Sequence, residues 1–509
     1  MTGNMRIDGL YFDQQGALSI RVDISEIARY ACSYESLVVV ALFIQRYPHV
    51  TSSYSTTPKF GTLRTALSAA LEASLQYVST LDARSVFPDH SALAGLDAFD
   101  EAVPESACAP AQVLEALHRH GSPATVATTG GRYFGFVSSG VLPAALAANW
   151  LCSSWDQNAG FSAMSPVASK IEEVVERWLL DILDLPRDCA AGFVTGSTMA
   201  TFCALAAARS ALLKRMDYDV RRAGLRRAPQ LRIVASADIH PANLRALTYL
   251  GFGVDEVERC PVDSQGRLVV ESLPDLDART ILLAQAGNVN SGSFDPFEGI
   301  CAAARRAGAW VHVDGAFGLW ARASQSKRHL TAGIEQADSW TLDAHKWLNV
   351  PMDSGIYICR DRGAVHEAFG VEAPYLVRTA RREPNYYTPE LGRRARGVEI
   401  WAALKSLGRL GIEELIERNC AQAKRMEQAL AELGFDILNE VCLNQVIFRY
   451  RDDAHTQEVM RKIQQSGKTW FGPTHWRGQL ALRFSECSWV TTDDDISITL
   501  GAIREAVAN

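Results

Sequence analysis

Polar side chains of complementary chemistry follow four short apolar runs of this sequence, at the point where each run ends. Gly196-Ser197-Thr198 follows the first run, His240 the second, Asn288 the third and Asp314 the fourth, and Lys346 comes 32 residues after Asp314. Because open α/β sheets bind ligands beyond the carboxyl ends of their strands, we expect these groups to collect on one rim. Together they could hold a phosphate, a nitrogen heterocycle and an aldehyde.

Each group has a specific chemical use. Ser197 and Thr198, at a helix start, would offer hydroxyls and free backbone amides to a phosphate. Asp314 could keep a pyridinium nitrogen protonated, and His240 could stack on an aromatic ring. Lys346 could form a Schiff base if its amine is partly desolvated beside a cationic neighbour. This combination describes a site for pyridoxal 5′-phosphate, and we expect no metal.

Taken singly, each group also has a plainer use. The two hydroxyls suit an ordinary helix cap, Asp314 suits a loop that begins at a strand end, and His240 suits a satisfied interior histidine. Lys346 could be a solvated surface lysine, although Trp347 and Leu348 give it apolar neighbours. Only the combination of groups points to the cofactor.

The elements that must position these groups are predicted to form a mainly parallel sheet. Short apolar runs alternate with helical segments from Gly192 to Arg360, which is typical of βαβ units covered on both faces. The predicted strands are Gly192–Thr195, Leu231–Ala235, Ile281–Ala284, Trp310–Val313 and Gly355–Cys359. Two helical stretches within Gly397–Glu432, followed by strands at Asn444–Tyr450 and Leu480–Phe484, predict a smaller α+β domain.

Composition excludes several classes of partner. The 509 residues carry 51 Lys and Arg against 58 Asp and Glu, a net charge of −7, so no strong basic field favours nucleic acid. No apolar run reaches the length of about 18 residues that spans a membrane, and the N-terminus lacks a secretory signal. The 11 scattered cysteines, without a C-x-x-C pair, favour reduced thiols and a cytoplasmic location.

The sequence resembles the pyridoxal-phosphate-dependent group II amino-acid decarboxylases, which include aromatic-amino-acid, tyrosine, glutamate and diaminobutyrate decarboxylases. The resemblance runs from about Gly131 to the C-terminus. The stretches that carry it are Arg132–Phe136, Gly192–Thr198, Ser236–Asn243, Ala286–Asp295, Trp310–Phe317, Ala337–Val350 and Gly392–Trp401. Any one stretch alone would be weak, whereas the spaced set is highly specific.

The resemblance implies fold type I, with a mostly parallel sheet of seven strands in a large α/β domain and a small α+β C-terminal domain. It also implies an N-terminal segment that wraps a partner subunit, in a homodimer whose active site lies at the subunit interface. We therefore divide the chain into an N-terminal extension (1–60), a helical dimerisation segment (61–140), a large cofactor-binding domain (141–395) and a small domain (396–509).

The resemblance also assigns expected roles to individual residues. Lys346 would hold the cofactor as an internal aldimine, Asp314 would face the ring nitrogen, and His240 and Ala316 would pack on its two faces. Ser197, Thr198 and His345 would contact the phosphate, and Asn288 would lie near the substrate carboxylate. The aromatic residues expected to line the substrate pocket are Tyr133, Phe134 and Phe136.

The implied reaction is decarboxylation of an L-amino acid to an amine, through an external aldimine and a quinonoid. A loop tyrosine is expected to return a proton to Cα. Tyr386 and Tyr387 are the candidates, although neither falls on the position used by the animal enzymes, and packing at the loop base is an equal alternative. Asp343 replaces an Asn of animal relatives, and a carboxylate near a phosphate is unfavourable unless it is turned away or paired.

Other functions and the substrate stay open at this point. The same cofactor could serve aldehyde synthesis, elimination or transamination, and a scaffold protein on an inactive fold is a third possibility. The aromatic stretch permits an aromatic amino acid. Six arginines could instead bind an acidic one, although a solvated basic face is their simpler use; they are Arg378, Arg381, Arg382, Arg393, Arg394 and Arg396.

Overall fold

The computed structural model describes residues 10–12, 18–20, 58–371 and 382–508. Its α-helices are α1 Pro58–Ser79, α2 His90–Ala94, α3 Pro110–Ala116, α4 Pro143–Trp155, α5 Pro166–Ile182, α6 Ser197–Arg215, α7 Val220–Ala223, α8 Pro241–Tyr249, α9 Phe297–Ala307, α10 Arg362–Phe369, α11 Gly397–Glu432, α12 Asp453–Gln465 and α13 Asp493–Ala508. Its strands are β1 Leu10–Phe12, β2 Leu18–Ile20, β3 Ala190–Val194, β4 Arg232–Ser236, β5 Glu258–Cys260, β6 Thr280–Gln285, β7 Trp310–Asp314, β8 Ser339–Asp343, β9 Gly355–Cys359, β10 Asp436–Ile437, β11 Gln445–Arg449, β12 Gly472–Trp476 and β13 Gln479–Ser485. Of the predicted N-terminal extension, the described residues comprise only β1, β2 and the start of α1.

The chain divides into two compact units. One comprises residues 1–73 and 104–115, and its strands β1 and β2 pair antiparallel. The other comprises residues 74–103 and 116–509, and it contains both larger sheets.

The larger sheet has seven strands in the order β3-β9-β8-β7-β6-β4-β5. All neighbouring pairs are parallel except those that β9 makes with β3 and with β8. This confirms the predicted α/β class and the mostly parallel sheet of seven strands. Successive residues enter opposite cores, because Ile281 and Leu283 pack beneath one face and Leu282 beneath the other, so both faces are covered.

The sequence did not predict strands β5 and β8. Strand β5 has only three residues, which is too short for a periodic signal. Strand β8 is central, but Ser339, Thr341 and Asp343 alternate with its apolar residues although every position is buried. Buried polar residues at alternate positions therefore concealed this strand.

The smaller sheet is antiparallel, in the order β10-β11-β13-β12. Helix α11 runs between the two sheets and is broken at Gly408, where φ is 62°. An L-residue with a side chain is strained there, whereas glycine is not. The break agrees with the prediction of two helical stretches, and the small sheet confirms the α+β C-terminal part.

Two further observations concern the described residues alone. None of their helices combines the length and apolarity needed to cross a bilayer. The ten cysteines among them are free thiols, and most are buried as small core side chains.

Candidate active site

The predicted polar groups lie at one edge of the seven-stranded sheet. Six strands run in one direction and only β9 runs in the other, so the carboxyl ends of the six share this edge. The groups at or just beyond those ends are Ser197 and Thr198 after β3, His240 after β4, Asn288 after β6, Asp314 at the end of β7, and Asp343, His345 and Lys346 at and after β8. The rim expected from the sequence is therefore present in the structure.

Lys346 is largely buried and forms an ion pair with Asp343. Its Nζ lies 2.8 Å from Asp343 Oδ2, and the Lys346 and Asp343 side chains are 17% and 1% exposed. His345 Nε2 lies 3.7 Å from the same oxygen. Burial favours the neutral acid of Asp343, but the nearby Lys346 and His345 outweigh it and lower the pKa of this carboxyl. The amine is thus held at the rim by a carboxylate that the resemblance did not assign.

Asp314 presents a buried carboxylate held only by neutral donors. Asn243 Nδ2 donates to its Oδ2 at 2.6 Å, and the Ala316 amide donates to its Oδ1 at 3.1 Å. Within the described part of the chain, no Lys, Arg or His nitrogen forms a salt bridge with it within 4 Å. A buried anion without a counter-ion is costly, so this carboxylate is suited to a cationic ligand group.

The charges of Asp314 and Lys346 act on the pKa of His240 in opposite directions. It caps the N-terminus of α8, where its Nδ1 accepts from the Ala242 amide at 3.2 Å. Burial lowers the pKa of His240, the Asp314 carboxylate partly opposes this, and the charge of Lys346 adds to it. The imidazole is therefore neutral near pH 7, and its ring can meet a ligand without adding a second cation.

The N-terminus of α6 supplies amide donors at the same rim. The first intrahelical hydrogen bond comes from Ala200 to the Gly196 carbonyl, so the amides of the preceding three residues have no partner within the helix. A Cβ placed on Gly196 would lie 3.4 Å from His345 Cε1 and 3.9 Å from Asp343 Oδ1. The amides at the helix start suit an anion, and His345 and Asp343 line the space in front of them.

Arg483, on β13 of the smaller sheet, also belongs to this region and was missed by the sequence reasoning. Its Nη1 donates to the carbonyl of Val289, in the loop after β6, at 2.8 Å. Burial lowers the pKa of Arg483 to about 10, and the charge is felt at Tyr133 and His240. Among the described side chains, no carboxylate lies within 4 Å of it. The signal in the sequence was one arginine inside the otherwise apolar strand.

Asn288 is buried, but its side-chain oxygen is committed to its own loop. Asn288 Oδ1 accepts from the amides of Asn290 and Ser291 at 2.9 and 3.3 Å. Asn288 therefore shapes the loop whose next residue, Val289, contacts Arg483. Its predicted contact with a substrate carboxylate stays a prediction.

The three aromatic residues of the stretch Arg132–Phe136 have different surroundings. Two of them stack on a tryptophan, and the third lies in a hydrophobic core. Tyr133 stacks on Trp470 with 5.1 Å between the ring centroids, and Phe136 stacks on the same indole at 5.7 Å. Phe136 is 69% exposed and has a φ of 55°. Phe134, expected in the pocket, is instead fully buried and packs on Phe484 at 4.3 Å, because its side chain points into the core of the smaller sheet. Trp470 was not anticipated from the sequence.

The structure does not bring Tyr386 or Tyr387 to this rim. The Tyr387 hydroxyl accepts from Arg362 at 2.7 Å. Arg362 follows β9, which runs opposite to its neighbours, and also donates to the Cys189 carbonyl just before β3 begins. The Tyr387 hydroxyl therefore lies at the opposite edge of the sheet. Tyr386 packs beside His366 of α10, with 5.2 Å between the ring centroids.

Most of the arginines considered for an acidic substrate are committed to carboxylates within the protein. Arg393 pairs with Glu172 at 2.6 Å, and Arg382 pairs with Glu176 at 2.5 Å. These four residues, which we call the ionic cluster, are nearly inaccessible, so the expectation of a solvated basic face is wrong for its two arginines. Arg394 and Arg396 pair with Glu399 and Asp353. Arg378 and Arg381 lie outside the described residues.

The groups at the rim fit pyridoxal 5′-phosphate. Amides and a hydroxyl at the start of α6 suit its phosphate, the unpaired carboxylate of Asp314 suits a protonated ring nitrogen, and Lys346 supplies the amine. Several buried polar atoms there also lack a partner among the described residues; they are Asn243 Oδ1, Gln285 Nε2 and Asp343 Oδ1. Such orphaned atoms are expected where a polar ligand completes a site.

Comparison with known proteins agrees with this chemistry. A family model described as the pyridoxal-dependent decarboxylase conserved domain matches residues 94–451, well over half of the chain. Tryptophan decarboxylase 1 of Oryza sativa subsp. japonica is 26% identical over 393 residues, which cover 69% of this chain and 76% of the relative. L-2,4-diaminobutyrate decarboxylase of Rhizobium meliloti (strain 1021) is 27% identical over 392 residues, covering 71% and 74%.

The fold is also similar to that of solved structures. The crystal structure of Oryza sativa TDC with PLP and tryptamine superposes with a TM-score of 0.81 at 22% identity, covering 90% of this chain and 99% of that one. The tryptophan and diaminobutyrate decarboxylases are thus about equally similar to this chain. Overall similarity therefore does not identify the side chain of the substrate.

Proposed function

Because the chain belongs to the pyridoxal-dependent decarboxylases, we propose that this rim binds pyridoxal 5′-phosphate and an L-amino acid and releases carbon dioxide and the primary amine. The enzyme is a carboxy-lyase that uses this cofactor. The observation that carries the assignment of the site is the buried carboxylate of Asp314, without a cationic partner, at the same sheet edge as the buried amine of Lys346.

The protein's own residues would hold the cofactor at three places. Ser197, Thr198 and His345, with the amides that begin α6, would bind the phosphate. Lys346 would hold the aldehyde, and Asp314 would keep the ring nitrogen protonated because an unpaired buried anion favours the cationic form of its neighbour. When bound, the cofactor supplies a conjugated ring that accepts the electron pair left on Cα as carbon dioxide departs.

The groups around the ring have positioning roles in this proposal. Asn243 and the Ala316 amide fix the Asp314 carboxylate, so that it needs no reorientation during the reaction. The neutral imidazole of His240 would cover one ring face and keep water from it. These contacts lie on rigid strand ends and a helix cap, which suits a site that depends on orientation.

Arg483 is the residue we propose for the substrate carboxylate. It is a partly buried guanidinium without a carboxylate within 4 Å among the described residues, and planar guanidinium groups bind carboxylates through two parallel hydrogen bonds. Its bond to the Val289 carbonyl would hold it toward the loop that contains Asn288. Tyr133 and Phe136, stacked on Trp470, would line the path of the side chain.

A second reaction outcome is favoured by one observation. The two tyrosines considered as proton donors to Cα lie away from Lys346, and the Tyr387 hydroxyl is held at the opposite sheet edge. A carbanion that is not promptly protonated could be oxidised by dissolved molecular oxygen to an aldehyde, with ammonia and hydrogen peroxide as the other products. It could also lose a leaving group from Cβ, or transfer its amino group to the cofactor. Ammonia, hydrogen peroxide or an aldehyde in place of the amine would select this alternative.

We further propose that the protein is a cytoplasmic homodimer whose active site lies at the subunit interface. We also propose that each subunit has the four parts named in the sequence analysis. Helix α4 exposes Trp150, Leu151 and Trp155, which are 38%, 55% and 43% accessible, and exposed apolar clusters of this kind favour a protein partner. The measurement is the mass in solution by light scattering. A monomer at all concentrations would contradict this part of the proposal.

The test of the function is product identification by mass spectrometry. Cofactor-loaded protein is incubated with a mixture of the common amino acids, and a new primary amine with an equal amount of carbon dioxide is expected. The control is Lys346→Ala, treated in the same way. Borohydride reduction of the loaded protein should place the cofactor label at position 346, and a label elsewhere would overturn the assignment of the site.

A further inference from the structure

Asp343 brings a negative charge to the place where the proposed phosphate would bind. Its Oδ2 accepts from Lys346 and faces His345, its Oδ1 is buried, and the Ser197 hydroxyl at the start of α6 also helps to lower the pKa of this carboxyl. Oδ1 also lies 3.9 Å from the position of a Cβ on Gly196, directly before α6. A carboxylate therefore lies beside the amides that suit an anion.

The balance of charge at this corner changes when a phosphate arrives. Without it, Asp343 is compensated by Lys346 and by partial attraction to His345. A phosphate monoester is close to a dianion above neutral pH, because its second pKa is about 6. Two anions would then share the start of α6, and each favours a protonated group between them.

The pair of Asp343 and His345 is placed to take that proton. His345 Nε2 faces Asp343, whereas its Nδ1 accepts from the Ser354 amide at 3.3 Å, so the added proton enters at the Asp343 carboxylate or displaces that bond. Burial lowers the pKa of His345, so the imidazole is neutral in the free protein near neutral pH. The other titratable groups that face this pair are Lys346, His240 and Asp353. Lys346 is already paired with Asp343, and Asp353 is paired with Arg396. We therefore assign the proton taken from solvent to the Asp343–His345 pair.

We infer that binding of the cofactor phosphate is coupled to the uptake of a proton by the Asp343–His345 pair, with Asp343 as the residue that imposes this coupling. The inference rests on the proposed function, since it requires the phosphate to bind at α6. The proton belongs to the pair, because two ionisable groups this close titrate together. Cofactor affinity therefore falls as the pH rises above neutral, and removing the carboxylate removes most of this dependence.

The test measures binding and does not depend on turnover. The probe is 4′-deoxypyridoxine 5′-phosphate, which has the ring and the phosphate but no aldehyde, so no bond to Lys346 contributes. Its Kd is measured by equilibrium dialysis from about pH 7 to about pH 9 for the unmodified protein, Asp343→Asn and Asp338→Asn, a range above the phosphate pKa of about 6. Asp338 is the matched control, because it precedes the same strand at its opposite end.

For the unmodified protein and Asp338→Asn, the Kd should rise by up to about tenfold per pH unit, the limit for one coupled proton. Asp343→Asn should bind at least about tenfold more tightly near the top of the range, with a flatter profile. Any proton on the ring nitrogen contributes equally to all three proteins, so their comparison isolates Asp343. Should Asp343→Asn not fold, calorimetry in two buffers of different ionisation enthalpy should show less proton uptake for His345→Gln than for the unmodified protein.

The outcomes separate this inference from the function on which it rests. Equal affinity and equal pH dependence in all three proteins, or equal proton uptake with and without His345, would overturn the inference while a borohydride label at position 346 still supported the function. Absence of both probe binding and label would overturn both.

Discussion

Two buried groups of charges in this protein are built differently. In the ionic cluster every charge has an opposite partner, since Arg393 contacts Glu172 and Arg382 contacts Glu176. At the rim, the buried Asp314 and the partly buried Arg483 have no counter-ion within 4 Å among the described residues. Paired buried charges compensate each other's desolvation, whereas unpaired ones need a ligand to do so. The absence of a partner, more than burial itself, therefore distinguishes a binding site from a structural network.

The most direct test of whether the rim is the active site is to remove the amine of Lys346. Lys346→Ala should lower carbon dioxide release by roughly 10³-fold or more, because residues that act covalently have effects of this size. The control is Lys468→Ala, which removes a lysine that pairs with Glu505 at the surface. Retained activity in Lys346→Ala, measured with labelled substrate, would show that the rim is not the active site.

A second test compares how much the ionic cluster and the rim contribute to the stability of the cofactor-free protein. Glu172→Gln leaves Arg393 without its charge partner and should lower the free energy of unfolding by about 3–5 kcal/mol. Asp314→Asn removes an uncompensated charge and should change it by less than about 1 kcal/mol, while cofactor affinity falls. Urea denaturation measures both values. Equal destabilisation would mean that Asp314 is as structural as Glu172.

A third test asks whether Arg483 binds the carboxylate of the substrate. Arg483→Met should raise KM for the amino acid by roughly 10²-fold, as expected when a buried partner of a carboxylate is lost, with little loss of stability. Arg483→Lys keeps a cation and should recover part of the affinity, because the ammonium lacks the planar two-donor geometry. Steady-state kinetics of the three proteins decide the point, and an unchanged KM in Arg483→Met would remove Arg483 from the site.

Glu486 is a buried acid whose ionisation state differs from that of both groups above. Asn419 Nδ2 and the Ser488 amide donate to its Oε1, and burial raises the pKa of Glu486 to about 8. The folded protein therefore keeps a proton that the unfolded chain releases above about pH 4.3, and the free energy of unfolding falls as the pH rises to about 8. Glu486→Gln should remove up to ~1.4 kcal/mol of this loss per pH unit.

Thermal unfolding between about pH 5 and about pH 8 checks the sign, because stability is lost through the window between the unfolded and folded pKa values. The melting temperature of Glu486→Gln should exceed that of the unmodified protein increasingly toward the upper end. Parallel curves would show that Glu486 is ionised in the folded protein and that its charge is compensated.

The sequence predicted the rim well because each polar group follows a strand end, and chain order then becomes position in space. Arg483 could not be predicted in this way, since it reaches the rim from the other sheet and its neighbours along the chain are apolar. The sheet edge at which the Tyr387 hydroxyl lies depends on the direction of β9. The apolar run Gly355–Cys359 does not reveal this direction. The pairing of Asp343 with Lys346 was left open by the spacing, because three residues of irregular backbone can turn either way.

After its break at Gly408, helix α11 contacts the cores of both sheets. Ile412 belongs to the core of the larger sheet, whereas Met426 belongs to the core of the smaller one. Asn419 of the same segment accepts a hydrogen bond from Trp347, the residue next to Lys346, at 3.0 Å. One helical segment thus joins the core beneath Arg483 to the turn that holds Lys346. The length of substrate that fits between the anchor for its acid group and the anchor for its nitrogen is set by this connection.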